Sequence, residues 1–449
     1  MRKLFLFVLL MSVGCGDDAT SESKPYSIPN LTYGEYDLSS VSLDVPVDSF
    51  DLAVLAGRPN LVDKVNETFD TLAINVYFVD LGFTSGCLSV SGDQYRLPAM
   101  AEDALQEARA KGLTMEKVAV HVELLTPSRL PSMGSDYPVL GLCDSDDGRF
   151  PSFGTPAHRD ALLADFEDLI ELPGLTRITV GVDMNALFHA GADNEFGYDY
   201  SNYVTSYRDI YAALKAKNPD IMVGPGLDFR RFVQMTVPFA ANRVLGKTEC
   251  VVGQCDLGSS ESDAIYEAYR LVVQPLLTAG LLTDFAPTAD FVSWSVVPAS
   301  ADAPFDGSPS FDELDGTPNS ERKRLLNEYF APLLYVGEWM GDLPYFINQV
   351  DWTGSRGKQE KAVFLDVLLN SLSSRLPAAL GWARLTDLPQ DEIAGAGSSN
   401  SICSQVVRPG RPEFERSDDH CSAGLVDSNG SEASYGAGSV LDALSVGRE

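Results

Sequence analysis

Residues 99–125 read AMAEDALQEARAKGLTMEKVAVHVELL and contain two hydrophobic periodicities. In residues 99–113, apolar side chains recur every three or four positions, which is typical of an amphipathic helix. After a short polar turn, residues 117–125 form an apolar, partly β-branched run, which is typical of a buried strand. The stretch therefore predicts one helix–strand unit of a parallel α/β sheet.

The same unit recurs, so that strand-like and helix-like stretches alternate along most of the chain. Eight stretches have strand character: FDLAVLAG (50–57), AINVYFVDLG (73–82), KVAVHVELL (117–125), RITVGVDMNAL (177–187), DIMVGPGLDF (220–229), DFVSWSVVP (290–298), PLLYVGEW (332–339) and AALGWARLTDL (378–388). Strict alternation implies a parallel sheet, and eight units predict an α/β fold of the (β/α)8 TIM-barrel type. A doubly wound open sheet is the alternative, but no glycine-rich phosphate loop follows the first predicted strand.

Long segments rich in Gly, Ser, Asp and Pro follow most of the predicted strands. In a barrel these segments lie on the C-terminal face, where active sites are built. Six of the 7 cysteines fall in these segments: Cys87, Cys143, Cys250, Cys255, Cys403 and Cys421. Because six is an even number in an exported chain, we predict disulfides that staple this face, with fifteen connectivities open. We favour the pairs 250–255, 403–421 and 87–143.

The N-terminus predicts export and a lipid anchor. Two basic residues precede the apolar run LFLFVLLM, which is too short to span a bilayer. The cysteine that follows, Cys15, resembles the modified cysteine of a bacterial lipoprotein box, and residues 16–32 form a polar tether. We therefore predict a signal peptide over 1–15 and a barrel domain over 33–449, anchored in the bacterial cell envelope outside the cytoplasm. An ordinary signal peptide is the alternative.

The chain is strongly acidic. It has 33 Lys and Arg against 64 Asp and Glu, a formal net charge of −31. Such a charge disfavours nucleic acid and a basic membrane-binding patch as partners, so the lipid is the only predicted membrane contact. With only 4 His residues and no cluster of His and Cys, we predict neither a metal nor a cofactor. We expect a monomer.

The ends of the predicted strands carry carboxylates and aromatic rings, and the ends of parallel strands converge in a barrel. The set comprises Asp80, Glu123, Asp183, Asn185, Asp228, Ser295, Glu338, Trp339, Trp382 and Asp387. Glycoside hydrolysis needs one carboxylic acid to protonate the leaving oxygen and a second carboxylate to attack or to activate water. Indole rings can stack on the apolar faces of sugars. The set therefore indicates a carbohydrate site.

Four segments resemble the retaining TIM-barrel glycosidases, a clan that includes cellulases, mannanases and endo-β-1,4-galactanases. YVGEWMG resembles the segment that carries the nucleophile, which implies that role for Glu338. GWARLTDL resembles the segment whose Trp lies beneath the substrate sugar, here Trp382. DFVSWSVVP and AGLVDSNGSEASYGAGSVLDAL resemble the sixth-strand and C-terminal segments of the clan.

The chain departs from the clan at the acid/base position. The clan has Asn-Glu at the end of strand four, where this chain has Val182 and Asp183. Asp can be a general acid, but its reach is shorter by about 1.5 Å, one C–C bond. The shorter side chain could widen the carboxyl pair from the roughly 5–5.5 Å of retaining enzymes toward the roughly 6.5–9.5 Å of inverting ones. It could also leave the barrel with no working acid, in which case Asp193 or Glu195 on the following loop could substitute.

Each site residue also has a structural interpretation. Glu338 could pair with Arg384, Asp183 could be a turn residue, and Trp382 could fill the core. His189 follows Asp183 closely and could bind substrate.

We predict a glycoside hydrolase that acts on a β-linked polysaccharide or oligosaccharide. Its catalytic residues would be Glu338 and Asp183, and Trp382, Trp339, Asn185, Asp228, Ser295 and His189 would bind the substrate. The alternative is a glycan-binding lipoprotein on a degenerate glycosidase barrel, which would bind oligosaccharide without turnover.

Overall fold

Eight parallel strands form a closed barrel in the computed structural model, which confirms the predicted fold class. The strands are β1 Val41–Pro46, β2 Thr71–Tyr77, β3 Lys117–Glu123, β4 Leu175–Val180, β5 Met222–Asp228, β6 Val292–Val296, β7 Tyr345–Val350 and β8 Ala379–Trp382. Each strand pairs with its neighbours in chain order, and β1 pairs with β8 to close the barrel.

The structure describes part of the chain. Described are residues 40–46, 52, 54–77, 96–124, 126–127, 138–139, 153–154, 156–188, 195–246, 261–279, 286–296, 330–350, 365, 368–369, 371–382, 434–435 and 438–439. The signal and tether, all seven cysteines and His189 lie outside these residues, and so do the predicted disulfides.

Helices follow most of the strands. They are α1 Pro59–Thr68, α2 Leu97–Ala110, α3 Pro156–Leu169, α4 Glu195–Lys217, α5 Val237–Leu245 and α6 Glu261–Ala268, together with a helix over residues 330–339. Two π-helical turns, Phe232–Thr236 and Tyr269–Val273, precede α5 and follow α6. Among the described residues, no helix is both long enough and apolar enough to cross a bilayer.

Side chains alternate between the barrel lumen and the shell of helices, as the period of two in a strand requires. Alternate residues of β3, such as Val118 and Val120, belong to the main apolar core. The lower end of the lumen has its own small core, in which Phe291 and Phe346 stack with ring centroids 4.4 Å apart. The guanidinium of Arg177 lies 5.2 Å from the centroid of Phe346. The lumen is therefore filled at its N-terminal end.

Two of the eight strand predictions were wrong. Residues 50–57 were predicted as β1, but residues 54–57 form a turn and the strand is Val41–Pro46. In the turn, Val54 and Leu55 are buried without strand pairing. β1 is short, contains a charged residue and ends at a proline, so its hydrophobic signal is weaker.

The predicted seventh strand, 332–339, is a helix. Leu333, Val336 and Met340 are buried whereas Tyr335 and Glu338 are exposed, which is a helical period rather than a strand period. The true β7, YFINQV, lies a few residues later and contains two amide side chains. Residues 332–339 thus form a more continuous apolar run than β7 does, although they are helical, and this explains the wrong prediction.

Candidate functional site

Asp183 lies directly beyond the C-terminal end of β4, in an unusual backbone conformation. Its φ of 58° makes it the only non-glycine residue with positive φ in the described part of the chain. Such a conformation costs roughly 1–3 kcal/mol and tends to occur at functional sites. The side chain is 8% exposed. The turn also needs Gly181, where a Cβ would lie 2.4 Å from the Met184 side chain.

A hydrogen bond across the lumen fixes the carboxylate of Asp183. The Ser295 hydroxyl, at the end of β6, donates to Asp183 Oδ1. Because β5 lies between β4 and β6, this contact crosses the lumen rather than joining neighbouring strands. The predicted site residues Asp183 and Ser295 are thus brought together by the fold.

The predicted site residues Asn185 and Asp228 contact each other through the backbone. Asn185 Nδ2 donates to the Asp228 carbonyl at 2.8 Å, and the Asp228 amide donates to Asn185 Oδ1 at 2.8 Å. The Asp228 carboxylate accepts from the Arg231 amide at 3.2 Å and lies 3.8 Å from Arg231 Nε. These contacts hold the turn after β4 against the end of β5, and they give both residues a structural role.

Glu123 is a further carboxylate at this end of the barrel. It is the last residue of β3, and alternation places it on the same face as His121, whose side chain contacts residues across the lumen. The pairing of Val122 with Val180 puts Glu123 beside the turn that carries Asp183. Glu123 and Asp183 therefore extend from adjacent strands toward one space.

A layer of polar side chains lies in the lumen below these carboxylates. Gln349 Nε2 donates to Asn75 Oδ1 at 3.1 Å, which joins β7 to β2. The His121 ring contacts Thr179 Oγ1 at 2.9 Å and Asn348 Nδ2 at 3.4 Å. We call these five residues the amide layer. In most barrels of this type, branched apolar side chains occupy such positions.

A β-bulge in β7 explains why two consecutive residues enter the lumen. Trp294 pairs with Ile347 and Ser295 with Gln349, so Asn348 is the extra residue. Asn348 Oδ1 and Gln349 Oε1 are buried and have no hydrogen-bond partner among the described residues. Buried acceptors of this kind normally bind water or a ligand hydroxyl.

Glu338 and Trp339 lie at the other end of the barrel, which corrects their predicted position at a strand end. They are in the last turn of the helix that leads into β7, and Glu338 is exposed. Because all eight strands are parallel, the start of β7 is at the N-terminal end of the barrel, opposite Asp183. The six residues of β7 separate the two ends by about 16–20 Å. The structure therefore does not bring Glu338 and Asp183 together.

The tryptophans of β6 and β8 are in the shell, not in the lumen. Trp294 packs edge-to-face on Phe232, with ring centroids 5.5 Å apart. Trp382 is 1% exposed and belongs to the core that contains Leu43 and Val350, its register partners. Its lumen-facing neighbour in β8 is Gly381. Trp382 thus has no ring face open to a sugar, and its placement does not support the predicted platform.

None of the residues of the amide layer was predicted from the sequence as a site residue. Its members Asn75, His121, Asn348 and Gln349 are polar residues inside otherwise apolar strands. The signal in the sequence that could have indicated this layer is the recurrence of a polar residue at lumen-facing positions of several strands. No group of three or more His, Cys, Asp or Glu that could hold a metal occurs among the described residues.

The chain matches no protein-family model and no curated protein. Among solved structures it is similar to an exo-β-1,4-mannosidase from Opitutaceae bacterium strain TAV5, with 13% identity over 89% of this chain and a TM-score of 0.48. A glycoside hydrolase, GH5_18 from Streptomyces cattleya, gives 12% identity over 92% of this chain and 79% of its own, with a TM-score of 0.46. Bacteroides uniformis β-glucuronidase 2 gives 7% identity over 89% of this chain and a TM-score of 0.43. The chain spans 59% of the mannosidase and 34% of the glucuronidase.

Proposed function

We propose that this chain binds a β-linked polysaccharide or oligosaccharide at the C-terminal end of its barrel and hydrolyses its glycosidic bonds. The observation that carries the proposal is the pair of carboxylates, Glu123 and Asp183, above the amide layer. All of the amide layer except Asn75 is almost fully buried, so we give the layer the role of supporting the two carboxylates from below rather than of contacting the sugar. Two carboxylates on adjacent strands supply the acid and the base.

The hydrogen bond from Ser295 supports one role for Asp183. Ser295 donates to Asp183, and a donated hydrogen bond favours the charged form of a carboxylate. We assign Asp183 as the carboxylate that activates water or attacks the sugar, and Glu123 as the acid that protonates the leaving oxygen. This assignment changes the role that the resemblance implies for Asp183, and it replaces Glu338.

The test uses substrates that differ in how much their leaving group needs to be protonated by an acid. The soluble form, from about Ser21, is incubated with β-glucans, mannans, galactans and xylans, and with aryl β-glycosides that have good leaving groups. Glu123→Gln should lose at least about 100-fold activity on the polysaccharide and much less on the aryl glycoside. Asp183→Asn should lose activity on both.

Matched controls are available at exposed carboxylates outside the candidate site. Glu116→Gln changes an exposed glutamate just before β3, and Asp103→Asn changes an exposed aspartate of α2. Both should keep wild-type activity. If Glu123→Gln and Asp183→Asn are folded and fully active, the assignment is wrong.

A glycan-binding protein without turnover is the second candidate. The position of Glu338 favours it, because the carboxylate that the resemblance implies as nucleophile lies at the opposite end of the barrel. Retardation in a glycan-containing gel without release of reducing ends would support this candidate and contradict hydrolysis.

The proposal includes anchorage outside the cytoplasm through a lipid on Cys15, on the basis of the N-terminal sequence alone. In a bacterial expression host, the full chain should incorporate labelled palmitate, and Cys15→Ala should not. Equal labelling of both would contradict the anchor.

A further inference from the structure

The only two exposed large hydrophobic side chains in the described part of the chain lie in one place. They are Tyr266, 44% exposed, and Tyr335, 37% exposed. Tyr266 is on α6 and Tyr335 is on the helix over residues 330–339, and both contact Trp339. With Tyr269 beneath, these residues form what we call the outer aromatic cluster.

The rings of the outer aromatic cluster are held in a fixed arrangement. Tyr335 and Trp339, one helical turn apart, are nearly parallel, at 17° and a centroid distance of 6.0 Å. Tyr266 meets Trp339 edge-on at 5.2 Å and 77°. Tyr269 lies 5.5 Å from Trp339 and is almost fully buried. Two tyrosine rings are thus presented to solvent by a tryptophan that packs between the helices.

The cluster is separate from the candidate catalytic site. It is on the outside of the helical shell, and Trp339 lies where the chain enters the N-terminal end of β7. Asp183 and Glu123 are at the C-terminal end of the barrel. A ligand on the cluster therefore touches neither carboxylate.

The described residues around the cluster carry mainly acidic charges. Exposed Glu338 follows Tyr335 by three positions, Asp263 precedes Tyr266 by three, and Arg270 is paired with Glu267 at 2.8 Å. An acidic surround repels anionic ligands, such as phosphates or acidic lipids, and tolerates neutral ones.

The size of the cluster also limits its ligand. A stable protein interface buries about 800 Å² on each partner. A large aromatic side chain buries at most about 150–250 Å², and the two tyrosines are themselves only partly exposed. The exposed rings are thus too small for a stable dimer but large enough for one sugar ring on each tyrosine.

We propose that the outer aromatic cluster is a second carbohydrate-binding site, which takes a neutral polysaccharide chain by stacking sugar rings on Tyr266 and Tyr335. The carboxylate of Glu338 is placed to accept hydrogen bonds from sugar hydroxyls. The proposal rests on the proposed function for the class of ligand, but it uses none of the catalytic residues.

The test compares ring removal with ring retention. In gels that contain each neutral glycan of the panel, the double variant Tyr266→Ala/Tyr335→Ala should lose about tenfold in affinity relative to the wild type. Tyr266→Phe/Tyr335→Phe keeps both rings and should bind within about twofold of the wild type, since stacking needs the ring and not the hydroxyl. Hydrolysis of short oligosaccharides should be unchanged in both variants.

The outcomes separate this proposal from the proposed function. Lost retardation with no hydrolysis in any variant supports the second site and contradicts the enzyme. Unchanged retardation of the folded alanine variant, with hydrolysis intact, overturns the second site alone. No retardation of the wild type by any glycan overturns the second site, and so does a dimer in sedimentation that only the alanine variant abolishes.

Discussion

At the scale of single residues, Asp183 combines a strained backbone with a buried polar contact. Left-handed backbone is tolerated by Asn and Asp and strongly disfavoured for β-branched residues. We expect Asp183→Asn to leave the free energy of unfolding within about 1 kcal/mol of wild type, because Asn can also accept from Ser295. Asp183→Val should lower it by about 2–3 kcal/mol. Urea unfolding measures the free energy of unfolding of both variants. Equal values for Asp183→Asn and Asp183→Val would show that the turn relaxes to an ordinary backbone conformation.

Asp70 is a carboxylate of the opposite, N-terminal end of the barrel. It accepts hydrogen bonds from the Val41 amide and the Ser40 hydroxyl, and it pairs with Lys117 Nζ at 3.2 Å. Burial opposes its ionisation, but the hydrogen bonds from Lys117, Ser40 and Thr71 outweigh burial and lower the pKa of Asp70 below its ordinary 3.8. Asp70 thus links the starts of the first three strands.

The lowered pKa predicts a stability that depends on pH. The contribution of Asp70 is complete above the pKa of the unfolded chain, about 3.9, and is lost as pH falls through the lower pKa of the folded state. Asp70→Asn should lower the free energy of unfolding by about 1–2 kcal/mol at pH 7, with less difference from wild type near pH 2. Urea unfolding at several pH values tests this; a difference that is constant with pH would contradict it.

The sequence predicted the position of a site residue correctly where that position depends on one strand alone. It did not do so where the position depends on packing between two elements. Asp183 follows β4 and Ser295 lies near the end of β6, and both strands have clear sequence signals, so their convergence was predictable. The pairing of Asn185 with the Asp228 backbone depends on how the turn after β4 packs against the end of β5, which local propensity does not encode. Glu338 was misplaced because its apolar segment has both strand-like length and helical spacing.

At the scale of elements, β7 and β8 approach so closely that one position must be glycine. A Cβ at Gly381 would lie 2.3 Å from the carbonyl oxygen of Asn348, the bulged residue. Because that atom is backbone in a closed sheet, it cannot move without disturbing the amide layer. The bulge and the glycine were beyond sequence reasoning, since both follow from strand pairing rather than local preference.

This contact predicts that adding one methyl group at position 381 strongly destabilises the fold. Gly381→Ala should lower the free energy of unfolding by about 3 kcal/mol or more, and should reduce activity through displacement of Asn348. Gly246→Ala is a matched control: its φ is 65° but no atom lies within 4 Å of the new Cβ. It should cost only about 1 kcal/mol for the left-handed conformation. Similar losses in both variants would contradict the steric explanation.

At the scale of the whole molecule, the net charge of −31 works against the compact state. Like charges on a folded surface repel each other, and salt screens them over about 10 Å at 0.1 M. We expect the melting temperature of the soluble form to rise by several degrees between 10 mM and 500 mM NaCl. An equal rise with a neutral osmolyte of matched osmolarity, or no rise at all, would contradict screening as the cause.

Closure of the barrel joins residues that are very far apart in the chain. Val41, Ser42 and Leu43 pair with Leu380, Gly381 and Trp382, so the first strand is completed only by the last. Because the chain is made from its N-terminus, the side of β1 that pairs with β8 is an open edge until β8 has been made, and open edges invite aggregation. The Val41–Pro46 edge is therefore the part of the sheet that waits longest for its partner while the chain is made.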